Sequence, residues 1–420
     1  MMGYVVLSII VCAVAFLAIP ALNYTNVATF VSLEAAMCAF VLMAITQFLA
    51  TRPPGVERLF GGLDKLYVAH RRIGYAVLAL ILVHYLYTPN FKGLFLNKEL
   101  NDLAREIGGY AFYAVCALIV VSIVKWIPLI RKRLHLPYHV WYLTHRFIGL
   151  AFAAVAFHQL FVKKPFDQAE PIALVLNVFS VLGLGSYAYT QLLSHFRKRD
   201  YRVTNVERHP SATIVSVKPL GRPIRPQRGQ FAILHARKSG LREPHPFTVA
   251  SVADDGSLKF AIKPLGDFTA RLRERIGVDD IIRLEGGYGR FDFRRGSRRQ
   301  VWIAGGIGIT PFLSMLSDVE NNPSFDVILI YCVRDREEAI EVETFSSAAV
   351  RLPNFKFLLH PSAEAGRFDA TKLAEVADLA DGHRDIFFCG PNALRKAIVG
   401  GLSKMGLKPG KIWFERFEFR

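Results

Sequence analysis

Six apolar stretches in the first half of the chain constrain its fold more than any other feature. Each is long enough, or nearly so, to cross a hydrocarbon layer about 30 Å thick. In order, they cover residues 4–22, 27–49, 66–87, 109–127, 140–162 and 172–193. We therefore predict a bundle of six membrane-spanning helices. An even number of crossings returns the chain to the side of the membrane on which it started.

Positive charge in the connecting loops predicts the orientation of these helices. The basic residues lie in the loop 51–65, after the fourth stretch and after the sixth; they are Arg52, Arg58, Lys65, Arg131, Lys132, Arg133, Arg197, Lys198 and Arg199. All three connections lie on one face of the membrane, and the positive-inside rule makes that face cytoplasmic. We predict a multi-pass protein of the plasma (inner) membrane with its N-terminus and soluble part in the cytoplasm. The first stretch lacks the basic start and small-residue cleavage site of a secretory signal, which predicts a retained helix.

Composition argues against two other classes of protein. The formal net charge is +17, but the Arg and Lys residues form no continuous stripe with interleaved aromatics, so nucleic acid is not a predicted partner. The five cysteines include no Cys-x-x-Cys pair, which argues against a disulfide framework or a cysteine-held cluster.

The second half of the sequence has the patterns of two soluble domains. Between residues 201 and 285, short alternating segments separated by Gly and Pro predict a small antiparallel β-barrel. Beyond Gln300, β-rich runs alternate with helical stretches, which predicts a parallel sheet covered by helices on both faces. The predicted fold is thus multi-domain: a six-helix transmembrane bundle (1–197), an antiparallel β-barrel (198–298) and a Rossmann-like α/β domain (299–420).

Four histidines inside the apolar stretches form two matched pairs. His70 and His84 are fourteen residues apart in the third stretch, and His145 and His158 are thirteen apart in the fifth. On a helix rising about 1.5 Å per residue, each pair is separated by about 20 Å. Each helix would then offer one imidazole near each membrane face. Because neutral imidazole is a good iron ligand and a polar ring in lipid is costly, we predict two stacked b-type haems, each held by two histidines.

The thirteen-residue spacing does not fit an ideal helix. At about 100° per residue, His145 and His158 would lie on different faces of the fifth helix. A tilt, a local bulge or an offset between the haems has to absorb this difference.

Two segments of the predicted barrel resemble the flavin motifs of the NADPH oxidase and ferric reductase family. They are Glu-Pro-His-Pro-Phe-Thr-Val-Ala-Ser at 243–251 and Ile-Lys-Pro-Leu-Gly-Asp-Phe-Thr at 262–269. The resemblance implies that His245 and Thr269 contact the FAD pyrophosphate, that Phe247 packs on the flavin, and that Thr248 hydrogen-bonds near its reactive nitrogen. The residues that the resemblance implies in FAD binding are His245, Pro246, Phe247, Thr248, Ser251, Lys263, Gly266, Phe268 and Thr269.

A glycine turn between a strand and a helix marks the last domain. The segment Trp-Ile-Ala-Gly-Gly-Ile-Gly-Ile-Thr-Pro-Phe at 302–312 contains Gly305, Gly306, Gly308, Thr310 and Pro311. Thr310 can cap the helix and Pro311 suits its first turn, leaving free amides aimed at phosphates. Together with Phe-Cys-Gly-Pro at 388–391, the turn resembles the nicotinamide half of ferredoxin-reductase-like modules. The resemblance implies that Cys389 lies beside the hydride-transferring carbon, with Gly390 and Pro391 next to it.

Two further features refine the nucleotide site. Arg334 and Arg336 follow the second strand of this domain, where a 2′-phosphate would lie, and this favours NADPH over NADH. The family often ends with an aromatic residue that shields the flavin, and this implies Phe419, with Phe417 as the alternative. The predicted catalytic residues are Thr248, Cys389 and Phe419.

The resemblance and the histidine pairs together predict a compact NADPH oxidase that needs no other protein chain. Electrons would pass from cytoplasmic NADPH to FAD, to the His70/His145 haem, to the His84/His158 haem, and outward. A flavin is needed because NAD(P)H gives up two electrons and haem iron accepts one. We predict dioxygen as the acceptor, giving superoxide. The alternatives are a ferric chelate, a periplasmic partner protein, or a haem-free flavin reductase anchored by its helices.

Overall fold

The computed structural model describes residues 2–53, 55–87, 91–124, 138–379 and 382–415, without the side chains of residues 124, 138 and 139. The chain divides into two compact units, Met1–His195 and Phe196–Arg420. Each unit has its own core and is described by itself.

The first unit is helical. Its helices are α1 Met2–Ala18, α2 Val27–Ala50, α3 Val56–Phe60, α4 Leu63–Leu86, α5 Lys98–Val124, α6 Tyr138–His145, α7 Ile148–Phe161 and α8 Pro171–Ala188. Within the described residues, six segments are long and apolar enough to span a membrane: Met2–Tyr24, Val27–Ala50, Leu63–Leu86, Lys98–Ile123, Val140–Phe161 and Pro171–Arg197. The predicted number of spans is confirmed.

Helix α5 starts earlier than the hydropathy indicates. We predicted a span from residue 109, with an outer loop that reached residue 105, but the helix begins at Lys98. The side chain of Asn97 accepts hydrogen bonds from the backbone N–H of Glu99 and Leu100, which satisfies the free amides of the first turn. The predicted boundary was wrong because polar residues in these first turns hide the helix from a hydropathy window.

The fifth span is interrupted directly after His145. Arg146 and Phe147 form a turn between α6 and α7, in which the Phe147 N–H donates to the carbonyl of Thr144 at 3.0 Å. A bond to the third preceding residue is the tighter 3₁₀ pattern, with three residues per turn. The irregularity that the thirteen-residue spacing requires is therefore located at this turn.

The packing of the bundle centres on α2, which packs most extensively against α4 and α8, while α5 packs against α7. Most of the second half of α2, from Met37 to Ile45, is buried. Helix α4, which carries His70 and His84, is thus held by α2, and α7, which carries His158, is held by α5.

The second unit begins with a closed antiparallel barrel. Its strands are β1 Arg199–Arg208, β2 Thr213–Pro219, β3 Phe231–Ala236, β4 His245–Val252, β5 Leu258–Ile262 and β6 Ile281–Tyr288. They pair in the order β1-β2-β5-β4-β3-β6 and close on β1. Helix α9, Asp267–Arg275, follows β5. Its Phe268 and Leu272 enter the barrel core around Phe260 and Tyr201.

A parallel five-stranded sheet completes the second unit. Its strands are β7 Arg299–Gly305, β8 Asp326–Val333, β9 Phe355–Pro361, β10 Arg384–Cys389 and β11 Ile412–Phe414, in the order β11-β10-β7-β8-β9. The helices are α10 Thr310–Glu320, α11 Val342–Arg351, α12 Ser362–Ala365, α13 Ala370–Val376 and α14 Asn392–Lys404. Separate apolar clusters form around Trp302 and around Ile303, successive residues of β7 that point to opposite faces. Both faces are buried, as predicted.

Candidate functional site

Four histidines of the first unit, Met1–His195, called the membrane unit below, form two pairs. The ring centroids of His70 on α4 and His145 on α6 are 6.2 Å apart. His84 and His158, near the other ends of α4 and α7, are also close enough to interact electrostatically. The structure therefore pairs His70 with His145 and His84 with His158, which is the predicted combination.

Hydrogen bonds orient the second pair. Nδ1 of His158 lies 2.8 Å from the carbonyl oxygen of Ala104, and Nδ1 of His84 lies 3.2 Å from the carbonyl oxygen of Ser32. A carbonyl oxygen can only accept, so Nδ1 donates in both rings and Nε2 keeps its lone pair.

The first pair is held in a similar way. The hydroxyl of Ser122 donates to the carbonyl of Leu118 at 2.9 Å, so it accepts from Nδ1 of His145 at 3.1 Å. His70 makes a hydrogen bond with the backbone of Thr46. The sequence analysis missed Ser32 and Ser122 as partners, although a serine inside an apolar span is a visible signal.

This geometry fits a metal held between two imidazoles. Two iron–nitrogen bonds of about 2 Å each, with about 1 Å more from each nitrogen to its ring centroid, give a separation of about 6 Å. The His70–His145 separation matches it. Histidines that bind metals characteristically donate the other ring N–H to a carbonyl or a similar acceptor. Among the described residues, no three His, Cys, Asp or Glu side chains converge as a metal site, so imidazole pairs are the groups available.

The flavin-motif residues lie on β4 and α9. His245 is buried and stacks on Phe268 with ring centroids 3.8 Å apart, and both rings lie 6.4 Å from Phe247. Thr248 is buried, whereas Ser251 is exposed at the end of the strand. The two motifs, separate in sequence, form one aromatic wall, with Pro246 half-buried beside it.

Thr269 closes the start of α9. Its hydroxyl accepts from the backbone N–H of Leu265 and of Gly266 and donates to the carbonyl of Gly266. Because the hydroxyl is used in this way, the backbone amides of the first helical turn are the available donors for a pyrophosphate. The predicted Thr269 contact stays a prediction.

The glycine turn and the end of β10 cross closely. Strands β7 and β10 are neighbours, with Ala304 opposite Cys389. A Cβ on Gly390 would lie 2.9 Å from the Cα of Gly305, and one on Gly308 would overlap the backbone carbonyl of Cys389. Contacts this close require glycine, because a real Cβ would force the two loops apart. Gly306 has a φ of +56°, a region in which glycine is favoured.

Helix α10 does not start as predicted. Ile309 occupies the capping position, and the Thr310 hydroxyl donates to the carbonyl of Ile307 at 3.1 Å instead of accepting from an amide. The prediction that Thr310 caps the helix was wrong, because a 3₁₀ turn over Gly306–Ile309 leads directly into it. Pro311 does lie in the first helical turn, and the free amides there remain available.

Cys389 is fully buried at the end of β10. Burial raises the pKa of its thiol, and the Glu415 carboxylate raises it further. The thiol is therefore protonated at neutral pH and is not a nucleophile. Glu415, which the sequence analysis missed, also lies against Gly289, where a Cβ would meet its Oε1 at 2.5 Å.

Lys263 lies near the glycine turn, and Arg334 and Arg336 follow β8. Lys263, Gly306 and Ile307 line the same small surface depression. Arg334 is 81% exposed, and Arg336 is paired with Glu364. Phe417 and Phe419 lie outside the described residues.

Three family profiles match consecutive parts of the chain. They are a ferric reductase like transmembrane component at residues 35–156, an FAD-binding domain at 201–289 and an oxidoreductase NAD-binding domain at 302–399. The first covers His70, His84 and His145 and ends just before His158, and the other two cover the flavin motifs and the glycine turn.

Curated relatives match at low identity. The toluate 1,2-dioxygenase electron transfer component of Pseudomonas putida is 29% identical over 45% of this chain and 58% of its own length. The heavy chain of a superoxide-generating NADPH oxidase of Dictyostelium discoideum is 22% identical over 70% of this chain and 66% of its own length. That share exceeds the length of the second unit, so the match extends into the membrane unit. The chain thus spans about three fifths of the length of the curated relatives it matches.

Among solved structures, a flavohemoglobin from Malassezia yamatoensis with bound FAD and heme superposes with a TM-score of 0.49. It is 17% identical, over 96% of this chain and 98% of that one.

Proposed function

Because this chain joins a ferric reductase-like transmembrane component to FAD-binding and NAD-binding oxidoreductase domains, we propose that it is a transmembrane NAD(P)H oxidase. It would carry electrons from cytoplasmic NADPH through FAD and two bis-histidine haems to dioxygen on the outer side. Bound FAD would supply the conversion of the two electrons of a hydride into single-electron steps, and haem iron would supply one-electron transfer.

The observation that carries the proposal is the arrangement of the two imidazole pairs. The first pair, His70 and His145, has the ring separation that an iron between the two imidazoles requires. Nδ1 of His84, His145 and His158 donates to the protein, which leaves Nε2 of each ring for a metal. Buried polar rings without such a role would be costly in a membrane.

In the barrel, the aromatic wall holds the flavin. Phe247 packs on the ring system, and Thr248 hydrogen-bonds near its reactive nitrogen. His245 and the amides at the start of α9 bind the pyrophosphate. The stacking of His245 on Phe268 supports this role, because it fixes the imidazole beside those amides.

In the α/β domain, the glycine turn binds the phosphates of NADPH. Gly305, Gly306 and Gly308 let the backbone approach the ligand, and the amides at the start of α10 donate to it. Cys389 places a neutral thiol beside the nicotinamide, and its burial supports a packing role without proton transfer. By the family resemblance, Phe419, or Phe417, would shield the flavin.

The acceptor would be reduced without binding to the metal. Two histidines would hold each haem, so neither iron would offer the acceptor a coordination position. We propose dioxygen, supported by the similarity to the heavy chain of a superoxide-generating NADPH oxidase. A ferric chelate is the second candidate, supported by the ferric reductase-like match. Reduction of a periplasmic partner protein is a further alternative.

The test is turnover of the purified protein with NADPH and the two acceptors side by side. In air we expect superoxide, measured as reduction of cytochrome c that superoxide dismutase suppresses. Under nitrogen we expect slower reduction of a ferric chelate. Rapid ferric reduction under nitrogen, with negligible superoxide in air, would make the ferric chelate the acceptor. An absorption spectrum without bis-imidazole haem bands would overturn the proposal as a whole.

A further inference from the structure

The two arginines that follow β8 have different surroundings. Arg334 projects into solvent, with only Asp335 within 3.6 Å among the carboxylates of the described residues. Arg336 is engaged by Glu364 in a fork: Nε lies 2.9 Å from Oε1, and Nη2 lies 2.9 Å from Oε2. Both side chains of this second pair are more than half exposed. The edge of the Arg336 guanidinium that would bind a phosphate is therefore already occupied by the Glu364 carboxylate.

The position of this pair relates it to the nucleotide site. Strands β7, β8 and β9 are parallel neighbours, with Gly305 opposite Cys332 and Cys332 opposite His360. Their carboxyl ends thus form one edge, which carries the glycine turn, the two arginines and α12. The N–H of Ala363 donates to the carbonyl of Arg334 at 2.9 Å, which fixes the loops after β8 and β9 to each other. Glu364 is held beside Arg336 by this backbone contact.

We propose that Glu364 determines nucleotide specificity by competing with the 2′-phosphate of NADPH for Arg336. The inference rests on the proposed function, since it assumes that this edge binds a nicotinamide nucleotide. A phosphate binds an arginine through the same two-point contact that Glu364 now makes. NADPH has to displace the carboxylate and then lies near its negative charge. NADH carries no 2′-phosphate and leaves the pair closed.

The size of the effect follows from the exposure of the pair. An exposed ion pair changes an equilibrium constant by up to about five-fold. The competition therefore weakens NADPH binding without abolishing it. The chain would use both nucleotides with little discrimination, and Arg334 would supply the residual preference for the phosphate.

The experiment measures binding of 2′,5′-ADP and of 5′-AMP to the purified full-length protein by calorimetry. These probes differ only in the 2′-phosphate and need neither hydride transfer nor haem. In Glu364→Gln we expect 2′,5′-ADP to bind roughly two- to five-fold more tightly, with 5′-AMP unchanged. Glu343→Gln is the matched control: it removes the same charge from an exposed position on α11 and should change neither affinity.

A double variant tests the route of the effect. In an Arg336→Gln background, Glu364→Gln should no longer tighten binding of 2′,5′-ADP, because the guanidinium for which carboxylate and phosphate compete is absent. The proposal is overturned if Glu364→Gln leaves 2′,5′-ADP binding unchanged, or changes both probes equally. If the wild-type protein binds neither probe, the proposed nucleotide site itself fails, and the competition fails with it.

Discussion

At the scale of single residues, Lys164 is a buried charge of the membrane unit. It lies outside the spans, in the loop after α7, and only 5% of it is exposed. Its ammonium donates to the carbonyl of Leu160 at 3.1 Å. Its backbone N–H donates to the carbonyl of Leu94, and its carbonyl accepts from the N–H of Leu94. These bonds join the loop before α5 to the loop after α7. Burial lowers the pKa of Lys164 from 10.5 to about 8.

The depressed pKa predicts a pH-dependent gain in stability for Lys164→Met. Below pH 8 the lysine is charged in both the folded and the unfolded states, so the folded protein bears the full cost of burying the charge. Between about pH 8 and 10.5 the folded lysine loses its proton first, and that cost disappears. The variant should be more stable than wild type by up to about 3 kcal/mol at pH 7. The difference should shrink towards pH 10.

The measurement is the unfolding midpoint in detergent at pH 7 and pH 10, for both proteins. Lys163→Met is the control, because Lys163 is less buried and lies over the Phe91 ring. Because Lys163 is less buried, this variant should change the midpoint difference between the two pH values less than Lys164→Met does. A Lys164→Met variant whose difference from wild type is the same at pH 7 and pH 10 would contradict the burial argument.

At the scale of helices, Gly108 of α5 leaves the space that the His158 ring of α7 occupies. A Cβ on Gly108 would overlap the imidazole of His158, whereas a Cβ on the adjacent Gly109 would meet nothing within 4 Å. His158 donates to Ala104, one turn earlier on α5. The ring of the proposed outer ligand is therefore pressed against the α5 backbone, and its orientation depends on that close approach.

These neighbouring glycines give a matched pair of variants. Gly108→Ala should displace the His158 ring and lower the haem content from two per chain towards one. Gly109→Ala, with the same gain in helix propensity, should keep both haems. Haem content is measured by the pyridine haemochrome assay against protein concentration. Equal haem content in the two variants would mean that the α5 contact does not orient the ligand.

The helices also illustrate what the sequence could and could not predict. Hydropathy located all six spans, and the histidine spacing predicted the pairing of His70 with His145. The spacing also required an irregularity in the fifth span, but not its position, which depends on hydrogen bonds around Thr144 and Phe147. The start of α5 was missed because Asn97 caps a polar first turn.

In the second unit, motif residues were easier to locate from the sequence than the contacts that they make. The sequence placed the flavin motifs on a strand and at a helix start, but the stacking of His245 on Phe268 depends on the closed barrel. The pairing of Arg336 with Glu364 joins loops after different strands and has no local signal. The crossing of Gly308 and Cys389 likewise needs the sheet order β10-β7.

At the scale of the whole molecule, the two units have separate buried residues, so each should keep its own reactions when the other is altered. In the proposed function, the membrane unit would contribute only the electron path, and the second unit would contribute the entry of electrons. Flavin reduction by NADPH should therefore be insensitive to the histidine pairs. Haem reduction should depend on them in a fixed order.

Two double variants distinguish that order. His84→Leu with His158→Leu should retain one haem, which NADPH reduces under nitrogen at the wild-type rate, while superoxide production in air falls to background. His70→Leu with His145→Leu should also retain one haem, reducible by dithionite but only slowly by NADPH, because about 20 Å of helix then separates it from the proposed cytoplasmic face. Stopped-flow spectra at flavin and haem wavelengths follow each step. Rapid NADPH reduction of the haem in the second variant would reverse the order, since electrons would then enter without the His70/His145 site.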